Sequence, residues 1–193
     1  MFGMINKKHP AFTSMMLLCM IAGVFAAVTL PFYVYDEPSK SGPWIPSGYM
    51  GETSAISMDL KCTESPKTGS YCIKVTYAKP DGWGGVVWQM PANDWGDQEG
   101  SVDLTGASKL KFWARGKEGG EKVKFEFGLI GPDKPFHDSA KGSTGTLVLT
   151  DSWQEYMIDL SGKDLSAIKT GFCWVLGGQG KPVTFYLDGI RYE

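Results

Sequence analysis

The feature that most constrains the fold of this chain is a regular alternation of apolar and polar residues in several short segments. In SKLKFWARG (108–116), Leu110, Phe112 and Ala114 alternate with lysine, tryptophan and arginine. The segment EKVKFEFGLI (121–130) repeats the pattern. Because successive side chains of a β-strand point to opposite faces, this period of two predicts strands with one buried face and one solvated face.

Other segments support an all-β fold. The apolar runs GGVVWQM (84–90), GTLVLT (145–150) and GFCWVL (171–176) are typical of central strands, and turns rich in Gly, Asp and Ser separate them. No long helical periodicity follows residue 36, which excludes the crossover helices of a parallel α/β fold. We therefore predict one β-sandwich or barrel after that residue.

The N-terminal part has a different character. An uncharged run extends over residues 10–35. At ~1.5 Å per residue, a helix of this length would cross a hydrocarbon core of about 30 Å. The alternative is a shorter secretion signal, for which Val24-Phe25-Ala26 offers a small-x-small cleavage site. Membrane anchor and cleaved signal are therefore the two interpretations of this segment.

We predict a retained anchor. The apolar run continues past the cleavage site, and Phe32, Tyr33 and Tyr35 cluster at its exit, where aromatic rings lie at the level of the lipid headgroups. Lys7 and Lys8 precede the run and acidic residues follow it, so the N-terminus should be cytoplasmic. Residues 1–36 are thus predicted to form a tail and a single transmembrane helix of the inner (cytoplasmic) membrane, and residues 37–193 a periplasmic or extracellular domain.

Small residues in the predicted helix suggest close packing against other helices. Ala22 and Ala26, and likewise Gly23 and Ala27, are spaced four residues apart, as in small-xxx-small helix contacts. These four residues are candidates for contact with other membrane subunits.

Two cysteines flank a predicted hairpin turn. Cys62 and Cys72 enclose TESPKTGS, between two strand-like segments. We predict a disulfide between them, which suits an oxidising compartment. The alternative is a pair of separate buried thiols. Cys173, inside an apolar run, is expected to be a buried thiol.

The sequence has few features that indicate catalysis or nucleic-acid binding. Its formal net charge is −2, without a basic patch, so we expect no nucleic-acid partner. His137, beside Asp138, is the only histidine of the predicted domain, and no phosphate loop or nucleophile motif appears. We therefore expect no enzymatic activity.

Three segments, 102–128, 147–175 and 184–193, resemble bacterial carbohydrate-binding-module-like jelly rolls of the galactose-binding-like kind. The Tyr-Leu-Asp-Gly-Ile of the ending TFYLDGIRYE is similar to the Leu-Asp-(Asp/Gly)-Ile ending common in that group. The resemblance covers residues 44–193 and implies an all-β jelly-roll sandwich behind the anchor. It also implies a structural calcium ion as one option, with Asp188 as a candidate ligand. We expect no other cofactor.

The segment 81–100 has the highest density of aromatic and polar residues. Trp83 and Trp95 are of the type that stacks on sugar rings, and amides and carboxylates near them can bind hydroxyl groups. The polar candidates are Gln89, Asn93, Asp94 and Asp97. Trp113, on the cationic side of its strand, is a further candidate. The alternative is that Trp83 and Trp95 cover the edge of the sandwich or contact another protein.

Two functions follow from these features. The first, which we expect, is a non-catalytic accessory subunit of a larger membrane complex, for example a respiratory or photosynthetic one, with partner subunits bound through both helix and sandwich. The alternative is a membrane-tethered glycan-binding module.

Overall fold

The computed structural model describes residue 1 and residues 28–193. Within these residues the regular secondary structure consists of β-strands and one short 3₁₀ helix at Thr53–Ala55. The strands are β1 (Phe32–Tyr35), β2 (Ile45–Gly51), β3 (Ile56–Cys62), β4 (Cys72–Tyr77), β5 (Trp83–Gln89), β6 (Lys109–Gly116), β7 (Lys122–Phe127), β8 (Gly142–Val148), β9 (Gln154–Asp159), β10 (Thr170–Gly177) and β11 (Val183–Tyr192).

The strands form two antiparallel sheets. Sheet I has six strands in the order β3-β4-β11-β6-β9, with β1 paired beside β11. Sheet II has five strands in the order β2-β5-β10-β7-β8. The prediction of an all-β fold is confirmed, and of the two architectures considered, the chain adopts the sandwich.

The alternating segments place aromatic rings between the sheets. The ring centroid of Phe112 in β6 lies 4.7 Å from that of Phe125 in β7 and 5.2 Å from that of Phe172 in β10. Trp174 of β10 meets Phe185 of β11 edge to face, with the ring centroids 5.4 Å apart. All five side chains are fully buried. At roughly 1.5–3 kcal/mol for each large apolar side chain, their burial is a main source of stability.

One predicted central strand lies at an edge. β8, which covers most of the run at 145–150, is the outermost strand of sheet II, and Val148 is 59% exposed. Leu147 and Leu149 still pack against the core. The apolar run therefore predicted the strand correctly but not its position in the sheet.

The aromatic residues predicted at the membrane surface belong to the sandwich instead. β1 pairs with Ile190, Arg191 and Tyr192 of β11, and Val34 and Tyr35 are buried. This pairing satisfies the backbone of the strand, and its apolar side chains join the core. The folded domain therefore begins before residue 37.

The rest of the predicted transmembrane helix, including Ala22, Gly23, Ala26 and Ala27, lies outside the described residues. Within the described part, no helix has the length and apolar character needed to span a bilayer.

The predicted hairpin is present, but the predicted disulfide is not. Cys62 and Cys72 pair directly across β3 and β4, and both are free, buried thiols. The Sγ atom of Cys72 points to the carbonyl oxygen of Cys62 at 3.5 Å, and the Sγ atom of Cys62 accepts the N–H of Glu64 at 3.4 Å. Each sulfur atom thus has a backbone partner, which fits the alternative of separate buried thiols.

Candidate functional site

The strand register shows which side chains lie on the outer face of sheet II, the face turned away from the core. Val86 of β5 pairs with Trp174 of β10, and both belong to the core. The next pair, Gly85 and Val175, must point outward, because neighbouring residues of a strand point to opposite sides. Trp83, two residues before Gly85, lies on the same outer face.

Trp83 forms one wall of an open cavity on this face. The side chain is 48% exposed, and the cavity, of about 360 Å³, is also lined by Lys122, Lys124, Thr146, Val175 and Gln179. We call it the Trp83 pocket. A Cβ atom at Gly85 would lie only 2.8 Å from the Trp174 carbonyl oxygen and 3.0 Å from Val175 Cγ2, so glycine leaves room for Val175, which provides the apolar floor of the cavity. An exposed indole, an apolar floor and a polar rim suit a flat ligand with polar edges.

The polar rim of the Trp83 pocket is held in place. Lys124 Nζ lies 2.9 Å from the Glu126 carboxylate. The amide of Gln179 accepts the backbone N–H of Lys122 and donates to its carbonyl oxygen, both at 2.9 Å. The Gln179 amide is thus paired with the backbone of Lys122, and the Lys124 ammonium lies next to a carboxylate, so polar and charged groups line this side of the cavity.

Residues 90–100, here called the 90–100 loop, lie at the other end of β5. Gln89, whose side chain is on the outer face, donates from Nε2 to the Asp94 carbonyl oxygen at 2.7 Å. Ser47 Oγ donates to Gln89 Oε1 and accepts the N–H of Asn93, both at 2.9 Å. Trp95 in this loop is 38% exposed.

Trp83 and the 90–100 loop that carries Trp95 therefore lie at opposite ends of β5. Trp83 and Gln89 are the two end residues of the seven-residue strand β5, about 20 Å apart along the strand. Val87 and Cys173 point to the same face but are fully buried, so the accessible aromatic surface is at the two ends.

Two of the predicted contact residues are used inside the fold. Gln89 is fully buried and Asp94 is 3% exposed. Burial alone would raise the pKa of Asp94, but the Lys169 ammonium and the amide N–H groups of Asp97 and Gly96 outweigh it and lower the pKa. Trp83, Asn93, Trp95 and Asp97 remain accessible as candidate contacts.

Part of the outer face of sheet I is covered by residues 63–71, here called the strap, which connect β3 to β4. Trp153 Nε1 donates to the Ser65 carbonyl oxygen at 2.9 Å, and Tyr186 Oη donates to Glu64 at 2.6 Å. Lys67 Nζ lies 4.1 Å from the ring centroid of Trp113. Trp113 is therefore on the opposite face from Trp83, beneath the strap, and the structure does not bring the two together.

Asp188 holds the strap from below. It is fully buried, and its carboxylate accepts the N–H groups of Lys67 and Thr68 at 2.8 and 3.0 Å and the Thr68 hydroxyl at 3.1 Å. Burial raises the pKa of Asp188, an effect that these donors reduce without cancelling.

A calcium ion does not fit this environment, because the groups aimed at Asp188 are donors, whereas calcium needs oxygen ligands. Among the residues that the structure describes, no group of three or more His, Cys, Asp or Glu side chains is arranged to hold a metal ion.

The histidine and aspartate that adjoin in sequence have separate roles. His137 is exposed, and its Nδ1 atom lies 3.2 Å from the Lys134 carbonyl oxygen. Asp138 is buried and accepts the N–H groups of Ile130, Lys169 and Thr170. Its carboxylate therefore fixes the start of β10.

Lys169 is the residue that sequence reasoning missed. Its side chain is 2% exposed and lies 3.1 Å from the Asp94 carboxylate. The one available signal is a lysine placed directly before the apolar segment of β10, where its neighbours Ile168 and Thr170 are buried.

No protein-family model matches the chain, and no curated protein matches it in sequence. Solved structures do match it in fold. A family 30 carbohydrate-binding module from a cellulosomal cellulase of Clostridium thermocellum superimposes with a TM-score of 0.61 at 16% identity, covering 86% of this chain and 98% of the other.

A family 11 carbohydrate-binding module of the same organism gives a TM-score of 0.55 at 17% identity, with 86% and 95% coverage. A family 11 module in complex with a β-1,3-1,4-mixed-linked tetrasaccharide gives 0.52 at 18% identity, with 81% and 92% coverage. At these identities the likeness concerns the fold alone: this chain has the β-sandwich architecture of carbohydrate-binding modules.

Proposed function

We propose that this chain is a non-catalytic glycan-binding module. The observation that carries the proposal is Trp83, an indole left about half exposed beside a cavity that is lined by Val175 and by polar side chains. A sugar ring has an apolar C–H face and hydroxyl groups at its edge, and it would place the face on the indole and the edge toward Lys122, Thr146 and Lys124. On sheet I, by contrast, the strap lies over Trp113.

The fold likeness supports the same proposal. The neighbours with TM-scores above 0.5 reported above are carbohydrate-binding modules, one of them in complex with a mixed-linked tetrasaccharide. These matches make β-glucans the first ligands to test, with mannans and uronic-acid polysaccharides beside them to define specificity.

The accessory-subunit function, which we expected from the sequence, has less support. One argument for it, the small residues of the predicted helix, concerns residues outside the described part of the chain. No described contact favours a partner subunit over a glycan. We therefore prefer the alternative of a glycan-binding module, which the apolar N-terminal segment would tether to the inner membrane with the sandwich on the outer side.

Affinity electrophoresis or pull-down of the purified full-length chain in mild detergent, against a panel of polysaccharides, tests the proposal. We expect at least one polysaccharide to retain the wild-type chain. Trp83→Ala should weaken retention at least about 10-fold, since removing a central aromatic contact commonly costs that much or more.

The matched control is Trp113→Ala, which removes the same side chain from the opposite face. It should leave retention unchanged if the variant keeps its thermal unfolding transition. Absence of binding to every polysaccharide, or equal loss in the two variants, would count against a glycan site at Trp83.

A further inference from the structure

Lys169, directly before β10, carries a positive charge into the interior of the domain. Its Nζ atom donates to the carbonyl oxygens of Gln98 and Gly100, both at 2.7 Å, and lies 3.1 Å from Asp94 Oδ2. An ammonium group has three N–H donors. Each donor therefore has an oxygen partner, and the charge has a paired carboxylate.

All three partners belong to the 90–100 loop. The Asp94 carboxylate in turn accepts the N–H groups of Gly96, Asp97 and Gln98 at 3.1, 3.0 and 3.1 Å. Trp95 lies between Asp94 and Gly96, so the backbone on both sides of it is fixed by this network. Lys169 thus reaches from the start of β10 to the segment that presents Trp95.

A buried ion pair is an unusual way to stabilise a fold, since well-packed apolar side chains often do equally well. A fully hydrogen-bonded network does fix geometry, because its partners have few alternative arrangements. The network also continues to the outer face of sheet II, through Asp94 to Gln89 and from Gln89 to Ser47 and Asn93.

We infer that Lys169 is a positioning residue of the glycan site. It holds Trp95 beside the loop segment that is bonded to Gln89, where the indole forms a second contact for a sugar chain that also occupies the Trp83 pocket. The inference rests on the glycan-binding function proposed above.

A double-mutant cycle on the full-length chain tests it, using the polysaccharide that binds the wild type best. Lys169→Met keeps the length of the side chain and removes its charge. We expect it to weaken binding about 10-fold, as should Trp95→Ala. Because Lys169 acts through Trp95, adding Lys169→Met to Trp95→Ala should cause no further loss.

Two controls separate positioning from general stability. Val123→Ala in the core of β7 should lower the unfolding temperature and leave affinity unchanged. Lys169→Met combined with Asp94→Asn removes both charges, so it avoids an unpaired buried carboxylate if Lys169→Met alone does not fold. This pair should still bind more weakly than wild type, and chymotrypsin should cleave it faster after Trp95.

The outcomes distinguish the two proposals. If the wild type binds through Trp83 but the charge-free pair binds as well as the wild type, Lys169 has no positioning role and the glycan function stands. Additive losses from Lys169→Met and Trp95→Ala would also overturn the inference. If the wild type binds no polysaccharide, both proposals fall together.

Discussion

At the scale of single residues, burial decides which polar groups support the fold and which remain for a ligand. Gln89 and Asp94 have side chains suited to sugar hydroxyls, yet the fold uses both to hold the 90–100 loop. Sequence indicated the residue types, but not that Gln89 and Asp94 lie at the other end of β5 from Trp83. It did not indicate their partners, because Ser47 lies 42 residues from Gln89 along the chain and Lys169 is still further from Asp94.

The thiol pair gives a prediction at the same scale. Burial, together with the neighbouring Cys62 thiol, raises the pKa of Cys72 to about 12. At pH 8 its reactive thiolate is then about 1,000-fold scarcer than that of an ordinary thiol. We expect iodoacetamide to label Cys72 in the native chain at least about 100-fold more slowly than in the unfolded chain, as followed by mass spectrometry.

The control is the labelling rate of the same cysteine in the unfolded chain, where it is exposed, at the same pH and iodoacetamide concentration. Rapid native labelling at pH 8 would show that the thiol is accessible or ionised. A Cys62–Cys72 peptide that stays linked without reductant would instead restore the disulfide predicted from the sequence.

At the scale of elements, the alternating pattern predicted strands well where one face is buried and the other wet. β6 and β7 bury Phe112 and Phe125, as their period of two requires. The pattern does not show where a strand lies within its sheet. The apolar run of β8 therefore predicts a central strand, whereas β8 is at the edge of sheet II. The sequence also did not predict β1 as a strand of the sandwich. Its apolar residues continue directly from the N-terminal run, and an apolar sequence is expected both for a segment in lipid and for a buried strand.

The strap gives a prediction about elements. Since donors rather than metal ligands surround Asp188, removal of calcium by a chelator should not change the unfolding temperature. Asp188→Ala should lower the free energy of unfolding by about 2 kcal/mol or more, because it leaves buried donors without partners. It should also speed tryptic cleavage after Lys67, measured by limited proteolysis.

Asp103→Ala serves as the control, since Asp103 accepts the N–H of Thr105 in a turn remote from the strap. That variant should not speed cleavage at Lys67. A rise in unfolding temperature on adding calcium, reversed by the chelator, would show that the strap region holds a metal ion after all.

At the scale of the whole molecule, the two outer faces of the sandwich differ. On sheet I the strap packs over Trp113 and Tyr186, so aromatic rings and cations are paired within the domain. On sheet II Trp83 and Trp95 stay accessible. The resemblance in sequence indicated the sandwich, but the difference between the faces depends on a loop whose path only the structure shows.

This difference leads to the central claim, that a glycan binds to the outer face of sheet II. The most direct test follows the indole N–H resonances of the full-length chain by NMR while an oligosaccharide fragment of the bound polysaccharide is added. We expect the signals of Trp83 and Trp95 to shift with a common binding curve, while those of Trp113 and Trp153 stay in place. Shifts confined to Trp113 and Trp153, or no shifts at saturating oligosaccharide, would contradict the claim.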